Sequence, residues 1–445
     1  MEYLSRTIDQ HLLDWKNSRN LKPLLLRGAR QVGKSTAVKH LGESFDYFIN
    51  ANFEKQPELK SLFTAGIGVR EIANRIGALY STPIEAGKTL LFLDEIQACP
   101  EAIHALWAFR EDYPALHVIA AGSLLEFALK QMPSFGVGRI RSLFMYPMSF
   151  DEWLQANGKT EWLRIKREAS PSHPLFEAMH LQLQQSFRSY LIVGGMPAAV
   201  AAWVETNDYQ ECATELNDIV QTYYDDFAKY AARVDTLLLR NTLQSVVMQV
   251  GKKFTYSHVE GGYRTEDVKR ALQLLCDAGL ITIVQHTAAN GLPLGAEVNE
   301  KYRKYIYMDS GLLLRILDLD FSGANELTQQ ILIGTATDLV NKGNLTEMVA
   351  GLELLKYATP QARPELFYWE NLDKGTSSEI DYILSRQMQI VPLEVKAGTS
   401  GKMKSLRLFM EKKHIQRAVR CSLENFGQLD EDGIDIIPLY AISQI

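Results

Sequence analysis

An α/β fold centred on a parallel sheet is predicted by three observations. The first is a short apolar run, Leu24-Leu25-Leu26, that enters a Gly-rich loop and then a segment of helical pattern from Ser35 to Leu41. The second is an apolar stretch from Thr89 to Leu93 that closes on two carboxylates, Asp94 and Glu95. The third is the alternation of such strands with helical segments, which joins parallel strands by crossovers and puts a ligand at their carboxyl ends.

The loop reads Gly28-Ala29-Arg30-Gln31-Val32-Gly33-Lys34-Ser35, followed by Thr36, and fits G-x-x-x-x-G-K-[ST] at each fixed position. Gly28 and Gly33 let the backbone curl so that successive N–H groups face inward and form a nest for phosphate oxygens. The following helix aims its positive end at the same place. Lys34 is expected to reach the β- and γ-phosphates of ATP, and the Ser35 hydroxyl to ligate Mg²⁺. Asp94 is the second expected Mg²⁺ residue, acting through water. Glu95 is expected to orient and deprotonate the attacking water.

In chain order, residues 3–20 have an amphipathic helical pattern, with Leu4, Ile8, Leu12, Leu13 and Trp15 on one side. Tyr47–Ala51 reads as a second strand. His117–Ala121 reads as another, running into Gly122-Ser123. Ser123 has two readings, a sensor of the γ-phosphate at the strand tip or a cap for a helix over 124–130.

The runs LLLRGARQVGKST, LLFLDEIQACP, VIAAGSLLEF and GVGRIRSLFMYPMSFDEW resemble bacterial and archaeal AAA-type P-loop ATPases that carry a C-terminal domain of uncharacterised function. The resemblance continues in YLIVGGMPAAV, YIYMDSGLL and EIDYILSRQMQIVPLEVKAG and so covers nearly the whole chain. It implies an AAA-type ATPase core over residues 1–150 and a helical lid over 151–232. It also implies Arg139 as an arginine finger reaching a neighbouring subunit of a homo-oligomer; the alternative is a surface arginine beside Arg141.

Residues 233–325 read as a winged helix. The pattern has helices over 237–250, 257–260 and 265–279, then a hairpin of Leu280–Val284 and Lys304–Met308 around a polar tip at Ala288–Gly291. Arg264, Lys269 and Arg270 on the third helix, with Lys252 and Lys253 nearby, suggest DNA as a partner, while Glu260, Glu266 and Asp267 dilute that face.

Residues 326–445 read as a separate α/β unit. A helix carries Glu347, one strand carries Asp381, and the next carries Glu394-x-Lys396, whose side chains share a face. The set resembles the core of restriction-endonuclease-like nucleases, which implies a second metal site at Glu347, Asp381 and Glu394 with Lys396 activating water. From Lys396 to Arg420 there are eight Lys or Arg against one acid, Glu411, which suits a phosphate backbone.

Composition bounds these readings. The chain has 445 residues, 46% hydrophobic and 22% charged, enough for several ordinary cores. A net charge of −6 leaves no global basic field, so contact with nucleic acid needs a local patch. Cys99, Cys212, Cys276 and Cys421 are too scattered for a zinc or disulfide framework. The amino terminus lacks signal-peptide features, and the uncharged stretch Ser189–Val204 is broken by glycines and Pro197. A cytoplasmic protein with no membrane partner is expected. The function expected is an ATP-hydrolysing ATPase whose nucleotide state controls DNA-associated modules. The alternatives are a nucleotide-gated protein-interaction switch with an inactive nuclease-like scaffold, and an ATP-regulated, metal-dependent DNA nuclease.

Overall fold

The computed structural model describes residues 3–64, 66–123, 125–130, 138–230, 234–317, 342–371, 378–398, 403–429 and 433–445. Two compact units divide the chain: Met1–Tyr146 with Asp277–Gly279 and Thr359–Arg363, and the remainder from Pro147.

Unit 1 is built on a five-stranded sheet of order β2-β3-β4-β1-β5, with β1 Leu24–Arg27, β2 Tyr47–Asn52, β3 Thr89–Asp94, β4 His117–Ala121 and β5 Arg141–Phe144. Every pairing in it is parallel. The six residues of β3 and the five of β4 are all buried, as expected of strands covered on both faces. Leu25, Leu91, Leu93, Val118 and Ala120 meet Ile72, Ile76, Leu106 and Phe109 from helices Val69–Leu79 and Pro100–Asp112 in one core. Each such aliphatic side chain contributes about 1.5–3 kcal/mol by leaving water. The first helix is Thr7–Lys16, shorter than the 3–20 pattern. Helix Val69–Leu79 lies between β2 and β3, where sequence reading marked no element.

Unit 2 begins with five helices: Phe150–Ala156, Thr160–Glu168, Glu177–Val193, Pro197–Thr206 and Tyr209–Asp226. The Gly-Gly-Met-Pro turn falls between the third and fourth. Gly194 takes a φ of +77°, and Pro197 opens the next helix, where its missing N–H is harmless. Helices Thr236–Met248 and Thr265–Asp277 precede the hairpin β6 Ile281–Thr287 and β7 Val298–Tyr307, the order expected of the middle segment.

A mixed sheet of eight strands follows, ordered β12-β13-β11-β10-β9-β8-β6-β7. Its other members are β8 Leu366–Glu370, β9 Glu379–Arg386, β10 Gln389–Val395, β11 Ala418–Ser422, β12 Gly427–Leu429 and β13 Ile434–Pro438.

This sheet corrects the expected separation of the middle and C-terminal segments. Strand β6 pairs in parallel with β8, Val284 opposite Leu366, so the hairpin is part of the C-terminal sheet. The hairpin connection exposes Asn290 and Gly291, as expected of a polar tip, and buries Ala289 and Leu294 in a core with Phe367, Trp369, Leu406 and Phe409. The boundary at residues 325/326 lies outside the described residues. Residues 151–232, expected as a lid, likewise pack within unit 2. Lys166, with no exposed side chain, lies 2.6 Å from Asp151 Oδ1. Tyr357 Oη donates to the same oxygen at 2.9 Å, and Tyr190 Oη donates to Glu353 Oε1 at 2.6 Å.

Candidate active site

The Gly-rich loop leaves β1 through three residues in the left-handed half of the Ramachandran map: Gly28 at φ +148°, Gln31 at +63° and Gly33 at +99°. A Cβ at Gly28 would lie 2.2 Å from the carbonyl oxygen of Met145, so only glycine fits there. Val32 is buried and anchors the loop from below, while Gln31 and Thr36 face solvent. Arg6 braces the same loop, donating to the carbonyls of Val32 at 2.8 Å and Tyr146 at 2.7 Å. Lys34 and Ser35 open helix Lys34–Gly42 with Gly33 as N-cap.

The Lys34 ammonium is buried and donates to the carbonyls of Gly28 at 2.9 Å and Ala29 at 2.6 Å. Burial pushes its pKa down to about 8, against the pull of Glu95 and Asp94, while Arg30 adds to the lowering. Ser35 Oγ donates to both Asp94 oxygens, at 3.2 and 3.1 Å, and Asn52 Nδ2 donates to Asp94 Oδ2 at 3.1 Å. Burial, then the neighbouring Glu95 charge, raises the Asp94 pKa above the usual carboxylate value, partly offset by Asn52 and Ser35.

Glu95 follows β3 in a left-handed conformation, φ +50°, which turns its side chain toward the tip of β4. Its Oε2 accepts from Gln97 Nε2 at 2.7 Å, and from Ser123 N and Oγ at 3.3 and 3.4 Å. Ser123 therefore touches Glu95; its reading as cap of a helix begun at Leu124 lies partly outside the described residues, the helix being Leu125–Lys130. Arg139 is apart from this group: it donates to Glu111 at 2.8 Å, lies over the Trp107 ring at 5.1 Å, and is half exposed.

The second expected site lies in unit 2. Glu347 on helix Lys342–Lys356 and Asp381 on β9 come together, joined by Glu379, two residues before Asp381 and on the same face. Oxygens of these three carboxylates lie within 4.8 Å of one another. Lys304 of β7 enters the cluster, donating to Glu347 Oε1 at 2.8 Å and to Glu379. Asp381 Oδ2 accepts from Val395 N at 2.7 Å, and Glu394 Oε1 accepts from Lys396 Nζ at 2.5 Å.

Burial raises the pKa of two acids of this cluster, Glu347 and Asp381. Glu347 is pushed up to about 7 despite Lys304, and Asp381 well above its ordinary range with help from Glu347 and Glu394. Burial alone would lower Lys304, but Glu347, Glu379 and Asp381 outweigh it and hold the ammonium charged.

Four of the basic residues in these two segments pair with acids nearby. Lys269 meets Glu266 at 2.8 Å and Arg270 meets Asp267 at 2.5 Å. Arg417 meets Asp435 at 3.2 Å and Arg420 meets Glu424 at 3.1 Å. Within the Lys- and Arg-rich run from Lys396 to Arg420, a helix spans Lys404–Lys413. Among the described residues, no helix is long and apolar enough to cross a membrane.

Residues 20–154 match a family model described as an AAA domain. Unit 1 carries an AAA-type P-loop ATPase domain. Residues 184–322 and 342–442 match two domains of unknown function, DUF8612 and DUF4143. No curated protein matches the sequence. Among solved structures, the Walker-type ATPase PABY2304 of Pyrococcus abyssi is 15% identical, with a TM-score of 0.45, over 71% of this chain and 96% of that one. The Aeropyrum pernix Orc1 protein in complex with DNA is 11% identical, with a TM-score of 0.28, over 73% and 90%. The S. cerevisiae Hsp104–ADP complex is 12% identical, with a TM-score of 0.28, over 62% and 38%.

Around the AAA domain's nucleotide loop, sequence reasoning missed Arg6, Asn52 and Gln97. Asn52 had a findable signal, a polar residue ending the strand whose register sets it opposite Asp94. Gln97 follows the carboxylates within the run Asp94-Glu95-Ile96-Gln97, where nothing local marks it. Lys304 and Glu379 were missed in unit 2 because they were assigned to different modules or passed over for Asp381.

Proposed function

We propose that the AAA domain hydrolyses ATP with Lys34, Ser35, Asp94 and Glu95, and that its nucleotide state controls how unit 2 meets a partner, DNA in the first reading. The observation that carries the hydrolytic part is the convergence of Ser35, Asp94 and Glu95 beside the loop. The Lys34 ammonium would counter charge on the β- and γ-phosphates. A hydroxyl and a carboxylate, both hard oxygen donors, fit Mg²⁺, so Ser35 and Asp94 would hold it. When bound, Mg²⁺ offsets charge on the phosphate oxygens.

Glu95 has its Oε2 fixed by Gln97 and Ser123, while its Oε1 takes no hydrogen bond among the described residues. That oxygen is the one to orient water and accept its proton. Ser123 would couple Glu95 to the γ-phosphate. Arg139, half exposed, suits a finger acting on a neighbouring subunit. Titration of the full chain with Mg·ATP in a calorimeter tests the cradle: Lys34→Ala should lose the binding heat, and wild-type affinity in that variant would contradict the assignment.

The interaction-switch reading is favoured by a specific observation. The third helix of the middle segment pairs Lys269 and Arg270 with its own acids, and the hairpin connection anchors Ala289 and Leu294 in the core of its own unit. An ATP-regulated nuclease has less support, since lysines hold Glu347, Glu379 and Glu394. Duplex DNA binding at several salt concentrations separates DNA from protein partners. Log affinity should fall against log salt with a slope of about −0.9 per neutralised phosphate. Absent binding, or a flat dependence, favours a protein partner.

A further inference from the structure

The nuclease-like resemblance implies a divalent metal among Glu347, Asp381 and Glu394, and the arrangement in unit 2 does not fit one. Lys304 sits where such an ion would draw the carboxylates together. Its side chain is 1% exposed, its Nζ donates to Glu347 Oε1 at 2.8 Å and to Glu379, and it lies 4.9 Å from the Tyr368 ring centroid.

We propose that Lys304 is the resident cation of this cluster, taking the place a divalent metal holds in metal-dependent phosphodiester cleavage, so that unit 2 keeps its carboxylates in register without metal.

Two further carboxylate oxygens are held by the protein itself. Asp381 Oδ2 is held by the Val395 N–H and Glu394 Oε1 by Lys396. Glu394 Oε2 is buried with no hydrogen-bond partner among the described residues. Of the three carboxylates whose oxygens lie within 4.8 Å of one another, Glu347 and Glu379 already bond the Lys304 ammonium. A divalent ion entering the cluster would face the buried ammonium at close range, and like charges repel most strongly where water is excluded. Expelling Lys304 would strip a buried charge of both its partners.

The placement is built into the fold. Lys304 stands opposite Val284 in the β6–β7 pairing, and β6 in turn pairs with β8, so the sheet itself carries the ammonium to the carboxylates. The inference concerns unit 2 alone and stands independently of ATP hydrolysis in unit 1.

The test is a Mn²⁺ titration of the nucleotide-free full chain, read by electron paramagnetic resonance. Wild type and Asp381→Asn should bind Mn²⁺ alike. Lys304→Met, which keeps the length of the stem without its charge, should gain one Mn²⁺ at least tenfold tighter than any in wild type. That gain should vanish in Lys304→Met/Asp381→Asn. A wild-type Mn²⁺ that Asp381→Asn removes would overturn the proposal, as would a folded Lys304→Met that gains none. Where Lys304→Met fails to fold, the wild-type and Asp381→Asn comparison decides alone: equal binding supports the proposal, and loss of one ion overturns it.

Discussion

Gln97 holds Glu95 in place: its Nε2 donates to Glu95 Oε2 at 2.7 Å, and its Oε1 is packed so closely that a Cβ on Gly122 would lie 1.8 Å away. In the proposed mechanism Gln97 is a positioning residue for Glu95, the group assigned to the attacking water. Gln97→Ala should therefore lower kcat roughly tenfold to a hundredfold, the scale of a small misplacement of a catalytic group, while leaving KM for ATP near wild type. Steady-state phosphate release measures both. A matched rise in KM with constant kcat would instead assign Gln97 to ground-state binding.

Lys166 and Asp151 form an ion pair at 2.6 Å, the lysine with no side-chain exposure. Its ammonium also donates to Tyr440 O at 3.2 Å and Ser443 Oγ at 3.0 Å, tying helix Thr160–Glu168 to residues 440–443 within unit 2. Removing Lys166 leaves the buried Asp151 carboxylate with Arg167, 3.1 Å away, and the Tyr357 hydroxyl as its partners. Lys166→Met is expected to cost about 1.5–3 kcal/mol, read by chemical denaturation, and Lys166→Met/Asp151→Asn to recover much of that. Equal losses in the single and double variants would show that packing, not charge, carries the effect.

His117, at the start of β4, has its Nε2 3.0 Å from the carbonyl of Lys16, and its ring packs edge-on against Trp15 and Phe45. Its Nδ1 is buried without a partner among the described residues. Burial depresses its pKa below the ordinary 6.5, so the folded chain resists the second proton and the unfolded chain takes it first. The stability it contributes is present at neutral pH and is lost as pH falls through 6.5 toward the lower folded value. Melting curves at pH 7.5 and 5.5 should show a larger acid loss in wild type than in His117→Phe. Parallel curves would remove His117 from the account.

The local parts of the candidate site were legible in the sequence. Gly28 to Ser35 is contiguous, and Asp94-Glu95 ends a strand whose apolar run is unmistakable, because strands buried on both faces cannot alternate. Asn52, Gln97 and Arg6 were not legible, since each acts through a register or a loop contact that spacing along the chain does not encode. The same limit applies to unit 2. Helix and hairpin appeared in the expected order, yet the pairing of β6 with β8 joins residues some eighty positions apart and merges two segments that composition divides. Lys304 reads as an ordinary wing residue until that pairing sets it against Glu347.

The most direct test of the central claim is a single-turnover measurement of phosphate release from ATP bound in advance to wild type and to Glu95→Gln. Both proteins should retain bound ATP. Wild type should release phosphate, and Glu95→Gln should release it slower by about 10²–10⁴-fold, the usual contribution of a positioned general base. Release by Glu95→Gln at the wild-type rate would contradict the assignment of Glu95 and, with it, the hydrolytic site described at the end of β3.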